Sequence, residues 1–194
     1  VNPLFGGHHP EADAHGMAEV AKCIRAGKAQ LGRGWCLWLT ERFEASGTAF
    51  MAAVASLEPG LAQTEALFKL ADVRARQKDY AAALRGYREV VASGDKFPAV
   101  RSKLVERALY QILQVAREAG DEPAAGEAME RLLREFPDGE FTEPGLLTFG
   151  NAPGRTADPQ ARRSILEEFL QRAPDSTLAG GVRLAIARTY EQER

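Results

Sequence analysis

The stretch LFKLADVRARQKDYAAALRGY, Leu67 to Tyr87, returns as LYQILQVAREAGDEPAAGEAM, Leu109 to Met129. Leu67, Leu70, Ala71, Ala83 and Tyr87 of the first copy correspond to Leu109, Ile112, Leu113, Ala125 and Met129 of the second, and Pro137 closes the second. Repetition at a period of about forty residues is the signature of stacked helix pairs. Within each copy the apolar residues recur at helical spacing. Leu61, Leu67, Phe68, Leu70, Ala71 and Val73 share one side of a helix over 61–77. Ala83, Leu84, Tyr87, Val90 and Val91 share one side of the next, which Ser93, Gly94 and Asp95 stop. Neither helix is apolar all round, so each needs a neighbour to cover its stripe.

Working outward, Pro98 opens a long helix that runs to Ala119, and Gly120 ends it. Asp121 caps the following helix, with Pro123 in its first turn and Met129, Leu132 and Leu133 facing inward. Its ending, Pro137-Asp138-Gly139, is repeated 37 residues later as Pro174-Asp175-Ser176 after Leu166 and Phe169. A fainter version is Val54 to Gly60. The pattern therefore predicts four helix pairs and the first helix of a fifth. The fourth pair is damaged. Its first helix is expected over 144–152, but Pro153 sits where an aromatic is wanted, Gly145, Gly150 and Gly154 weaken it, and a loop is expected over 151–158. Residues 1–16 are turn-rich at first and lack a period, and a helix is expected from Glu11 to Ala26. No sheet is expected. The domain organisation read from this is a lead-in and helix over 1–27 and a repeat array over 28–194.

Composition narrows the function classes. At 45% hydrophobic residues the chain can build a core. Its 25 Lys and Arg against 27 Asp and Glu leave a net charge of −2, without the basic excess of a nucleic-acid binder or a polybasic membrane anchor. No run of apolar residues is long enough to span a bilayer, so direct membrane insertion of this segment is not expected. Arg outnumbers Lys, which fits either a surface built for bidentate carboxylate contacts or a GC-rich coding sequence. The chain begins at Val1 without Met, shows no signal peptide, and stops at Arg194 inside a helical pattern, so it reads as a segment of a longer protein.

No catalytic constellation emerges. His8, His9 and His15 crowd the first residues with no Cys or acidic cluster at ligand spacing, so no metal site is expected. Gly32-Arg33-Gly34 lacks a third glycine and a preceding strand, which excludes a dinucleotide fingerprint. Glu167-Glu168 and Asp121-Glu122 read as solvated faces and caps. Cys23 and Cys36 fit no zinc or redox spacing; buried free thiols are expected, with a disulfide between adjacent helices as the alternative. Trp35 and Trp38 are either a peptide-stacking pair or inter-helix packing. The chain is expected to have no enzymatic activity and to need no cofactor.

With these residues in view, the chain resembles the tetratricopeptide repeat family over most of 28–194. The family pattern is a large residue, Leu, a small residue and Tyr, followed by Ala, an aromatic and Pro. The second and third units carry it in the residues quoted above, and Arg183, Ile186, Ala187 and Tyr190 carry the first half of a last unit. Leu31, Gly34, Trp35, Trp38, Gly47, Met51 and Pro59 fit it loosely. The resemblance implies an all-α, right-handed solenoid of helix-turn-helix repeats whose first helices line a concave groove. Its groove positions here would be Glu65, Phe68 and Asp72; Arg107, Tyr110, Gln114 and Arg117; and Leu184 and Arg188. Phe68 and Tyr110 either form an aromatic row for a peptide or thicken the core. Asp72 and Gln114 stand where a terminal-carboxylate clamp would need Asn, so that mode of capture is not expected.

The expected function is a protein–protein interaction scaffold or adaptor for a peptide or partner domain. The endings Glu-Phe-Pro-Asp-Gly and Arg-Ala-Pro-Asp-Ser resemble those of bacterial cell-envelope members, relatives of outer-membrane assembly lipoproteins and periplasmic coordinators, which places the chain in a bacterial envelope complex. The alternative is a regulatory or substrate-presenting segment of a larger enzyme. The apolar stripe through Leu184 and Ile186 calls for a further repeat or a partner, and self-association through the last helix is a third reading.

Overall fold

In the computed structural model, residues 10–150 and 158–193 are described, and they are all helical apart from turns. Nine helices follow one another among these residues: α1 Pro10–Leu39, α2 Phe43–Ser56, α3 Leu61–Arg76, α4 Tyr80–Gly94, α5, α6 Glu122–Glu135, α7 Thr142–Gly150, α8 Pro159–Arg172 and α9 Ala179–Gln192. α5 is one rod in three stretches, Pro98–Val100, a π-helical turn Arg101–Val105, and Glu106–Ala119. Each helix packs on the next from α1 to α7; α8 then packs on α6 and α9, and α7 reaches α5 and α9. This is the tetratricopeptide-like solenoid that the repeat predicts.

The turns between paired helices explain the regularity. At the end of α3, Lys78 N–H donates to the Ala75 carbonyl and Asp79 N–H to the Arg74 carbonyl, both at 2.9 Å. That is a Schellman ending, with Lys78 in the left-handed region at φ 61°. α1 ends the same way through Glu41 at φ 57°, and α5 through Gly120 at φ 73°. The next residue then starts the partner helix. Asp79 and Asp121 each accept from a backbone N–H three residues on, Ala82 and Ala124, at 3.1 Å.

Small residues set the approach of the helices. Ala71 and Ala83 are buried, and a Cβ on Gly86 would stand 2.9 Å from the Ala71 Cβ, so α3 and α4 meet where neither has bulk. One core cluster runs from Phe68 through Tyr87, Leu109, Leu113, Met129, Leu132 and Phe149 to Ala185, and Ala53, Leu57 and Ala66 form a smaller one at the α2–α3 junction. Among the described residues there is no strand, and no helix is long and apolar enough to cross a membrane.

Several expectations need correcting. The helix expected from Glu11 to Ala26 does not end there: α1 runs on through Gly27 to Leu39, and the 27/28 boundary falls inside it. Gly27 is where α2 comes close, since a Cβ there would lie 2.8 Å from Leu57 Cγ; that contact offsets the roughly 1 kcal/mol a mid-helix glycine costs. Cys36 is exposed rather than buried. It shares α1 with Cys23, and a helical separation of about 20 Å forbids a disulfide between them. The π turn in α5 is also new. Val100 and Val105 are both fully buried. Residues five apart lie about 140° apart on an ordinary α-helix, whereas an i to i+5 turn brings them to one side. Of the loop expected over 151–158, all but Asp158, and so Pro153, lies outside the described residues, as do the histidines His8 and His9 and the side chain of His15.

Candidate functional site

The first helices of the first three pairs, α1, α3 and α5, share one face of the stack, and along it lies an open hollow of about 480 Å³. Its floor is built around a buried ion pair. Lys69 and Asp72 sit one turn apart on α3, are 5% and 9% exposed, and approach to 2.7 Å. The second Asp72 oxygen accepts from the Tyr87 hydroxyl at 2.6 Å. Burial, and then the Asp72 charge, push the Tyr87 phenol far above its ordinary value, so it stays protonated and donates. The carboxylate is thus used on both sides.

The Lys69 ammonium lies over the Trp35 ring at 4.5 Å and the Trp38 ring at 5.1 Å. These two rings also pack edge-on to Phe50 and Phe43 of α2. The tryptophans therefore serve inter-helix packing, and Trp38 additionally lines the hollow. Further cations surround the floor. Arg76 lies over Trp38 and Phe43, each at 5.9 Å, and Arg107 lies over Phe68 at 5.1 Å. Lys78 reaches the hollow from the left-handed turn, and Gln111, Gln114 and Glu118 line it from α5.

Of the nine residues expected in a groove, Asp72, Arg107 and Gln114 line this hollow. Phe68 is 1% exposed and packs edge-on against Tyr87 at 5.3 Å, so its ring belongs to the core, and Arg107 covers it. Tyr110 is half-buried against Phe141, 5.5 Å between ring centres. Gln114 donates to Thr148 of α7 at 3.1 Å, so part of the expected groove surface joins α5 to the fourth pair instead. Arg117 is half-buried near Arg162, whose value burial lowers while Glu122 opposes and Arg117 adds to the shift. Glu65 and Arg188 are half-buried outside the hollow, and Leu184, 48% exposed, is on α9. Lys69, Arg76, Lys78 and Gln111 were not anticipated. The i, i+3 spacing of Lys69 and Asp72 and of Trp35 and Trp38 was the available signal.

The arrangement offers charged and aromatic edges for a polymer segment. Among the described residues no three His, Cys, Asp or Glu groups come together to hold a metal. Residues 65–93, which are most of α3 and of α4, match the family model described as Tetratricopeptide repeat. No curated protein matches the chain.

Proposed function

We propose that this chain is a protein–protein interaction scaffold that holds an extended segment of a partner protein along the α1, α3 and α5 face. Tetratricopeptide repeats generally mediate such interactions. The observation that carries the reading is the hollow itself: charged and aromatic side chains edge an open trough of about 480 Å³, while the apolar seams of the same helices are used up between neighbours. Such a trough suits polar side chains and backbone of an extended segment, with Trp38 as an aromatic edge. The scaffold is non-catalytic. Its setting in a bacterial envelope complex rests on the likeness of the repeat endings alone.

The test is selection of linear peptides from an unbiased display library, followed by affinity measurement on wild type and on Arg107→Glu with Gln111→Ala. Arg107 is exposed and neither residue fills the core, so the fold tolerates both changes. Peptides that lose at least tenfold in affinity on the double variant support the reading. Peptides that bind both proteins equally overturn it.

A further inference from the structure

Resting on that reading, we propose that the segment taken by the hollow is acidic: an extended stretch of a protein partner whose Asp or Glu side chains engage Arg76, Lys78 and Arg107. Four cations line the hollow, Lys69, Arg76, Lys78 and Arg107, against two acids, Asp72 and Glu118. This local excess occurs in a chain of net charge −2, so it is not a reflection of overall composition. Asp72 is already taken by Lys69 and Tyr87, which leaves Glu118 as the one acid facing three other cations of the lining.

The pairing habits of the arginines sharpen the point. Other arginines find carboxylates of their own chain: Arg131 and Arg134 reach Glu135 and Glu130, Arg172 reaches Glu168, and Arg101 at the start of α5 reaches Glu135. Among the described residues Arg76, Lys78 and Arg107 have no such ion pair. Instead Arg76 and Arg107 lie against aromatic rings. A guanidinium stacked on a ring keeps its planar fork of N–H donors free at the edge, the geometry that takes a carboxylate bidentately.

Lys78 reaches the hollow from the turn itself. The turn after α3 needs a left-handed residue, and the equivalent turn after α5 has Gly120 there. Glycine adopts that conformation freely, whereas a lysine is strained in it. The turn itself does not ask for lysine. The corresponding turn after α1 has Glu41 in this place, so what Lys78 adds is a cation at the edge of the hollow.

The probe is a fluorescein-labelled, N-acetylated, C-amidated nonapeptide of alternating Glu and Ser, compared with its Lys and Ser counterpart and with a single-stranded oligonucleotide of similar length. Anisotropy is read at two salt concentrations. The blocked C-terminus removes terminal-carboxylate capture as an explanation. The acidic peptide binds at least tenfold more tightly than either other probe, and the binding weakens with salt. Arg107→Glu and Lys78→Gly each weaken it at least fivefold, while Arg88→Glu, on α4, leaves it unchanged. Equal binding of both peptides, equal loss from Arg88→Glu, or tighter binding of the oligonucleotide overturns the proposal. If the acidic probe fails while library-selected neutral peptides still depend on Arg107 and Gln111, the acidic assignment falls and the scaffold reading stands. If neither depends on them, both fall.

Discussion

The most consequential side-chain contact is the buried Lys69–Asp72 pair, closed by Tyr87 on one side and tryptophan rings on the other. Replacing one partner leaves the other charge stranded in a low-dielectric site. Asp72→Ala is expected to cost about 3–5 kcal/mol in urea unfolding. Changing both members to similar-sized apolar residues, Lys69→Met with Asp72→Leu, is expected to restore most of that. A double variant as unstable as the single one would show that the pair is not the source of the loss. Lys78 gives a prediction of the opposite sign. Lys78→Gly relieves a left-handed lysine and is expected to stabilise by about 0.5–1 kcal/mol, and Gly120→Ala is expected to destabilise by about as much. Thermal melts of the two variants moving in the same direction would contradict the assigned turn.

Individual helices are joined by polar ties as well as by apolar seams. Glu106 of α5 accepts from the Phe141 N–H at 2.6 Å, Gln114 reaches Thr148, and Glu135 of α6 is shared by Arg131 and Arg101. The Arg131 hydrogen bond, opposed by partial burial, holds Glu135 below its ordinary value of 4.5. A depressed carboxylate contributes stability that is complete above its ordinary value and is lost as pH falls through the folded value. Glu135→Gln is therefore expected to flatten the stability profile below about pH 4.5 relative to wild type. Identical acid limbs in urea titrations of the two proteins would contradict this. Helix existence was legible in the sequence because the apolar spacing is local and repeats; Leu70, Ala71 and Ala83 sit where the pattern puts them. What stayed hidden depends on neighbours. The continuity of α1 rests on Leu57 lying against Gly27, and the π turn on the burial of Val100 with Val105. The hollow was only half legible for a related reason. Phe68 and Lys69 are adjacent and point about 100° apart, and which of them meets the open face is decided by the rotation of α3 against Tyr87 and the tryptophans.

At the scale of the molecule, stability is a sum of contacts between neighbours rather than a property of one central core. The large cluster is centred on α4, α5 and α6, while the first pair is tied in by a smaller cluster at the α2–α3 junction. Hydrogen exchange is therefore expected to be slowest in those three helices, with α2 and α9 opening at lower free energy. Uniform protection from α2 to α9 would contradict the additive picture. The same architecture leaves one face free: the seams bury the apolar stripes, and the charged and aromatic edge of α1, α3 and α5 is what a partner would meet. The most direct check is a 1H–15N NMR titration of the labelled chain with a library-selected peptide. Shifts are expected to centre on Trp38, Arg76, Lys78, Arg107 and Gln111; shifts confined to α4, α6 and α8 would contradict the account.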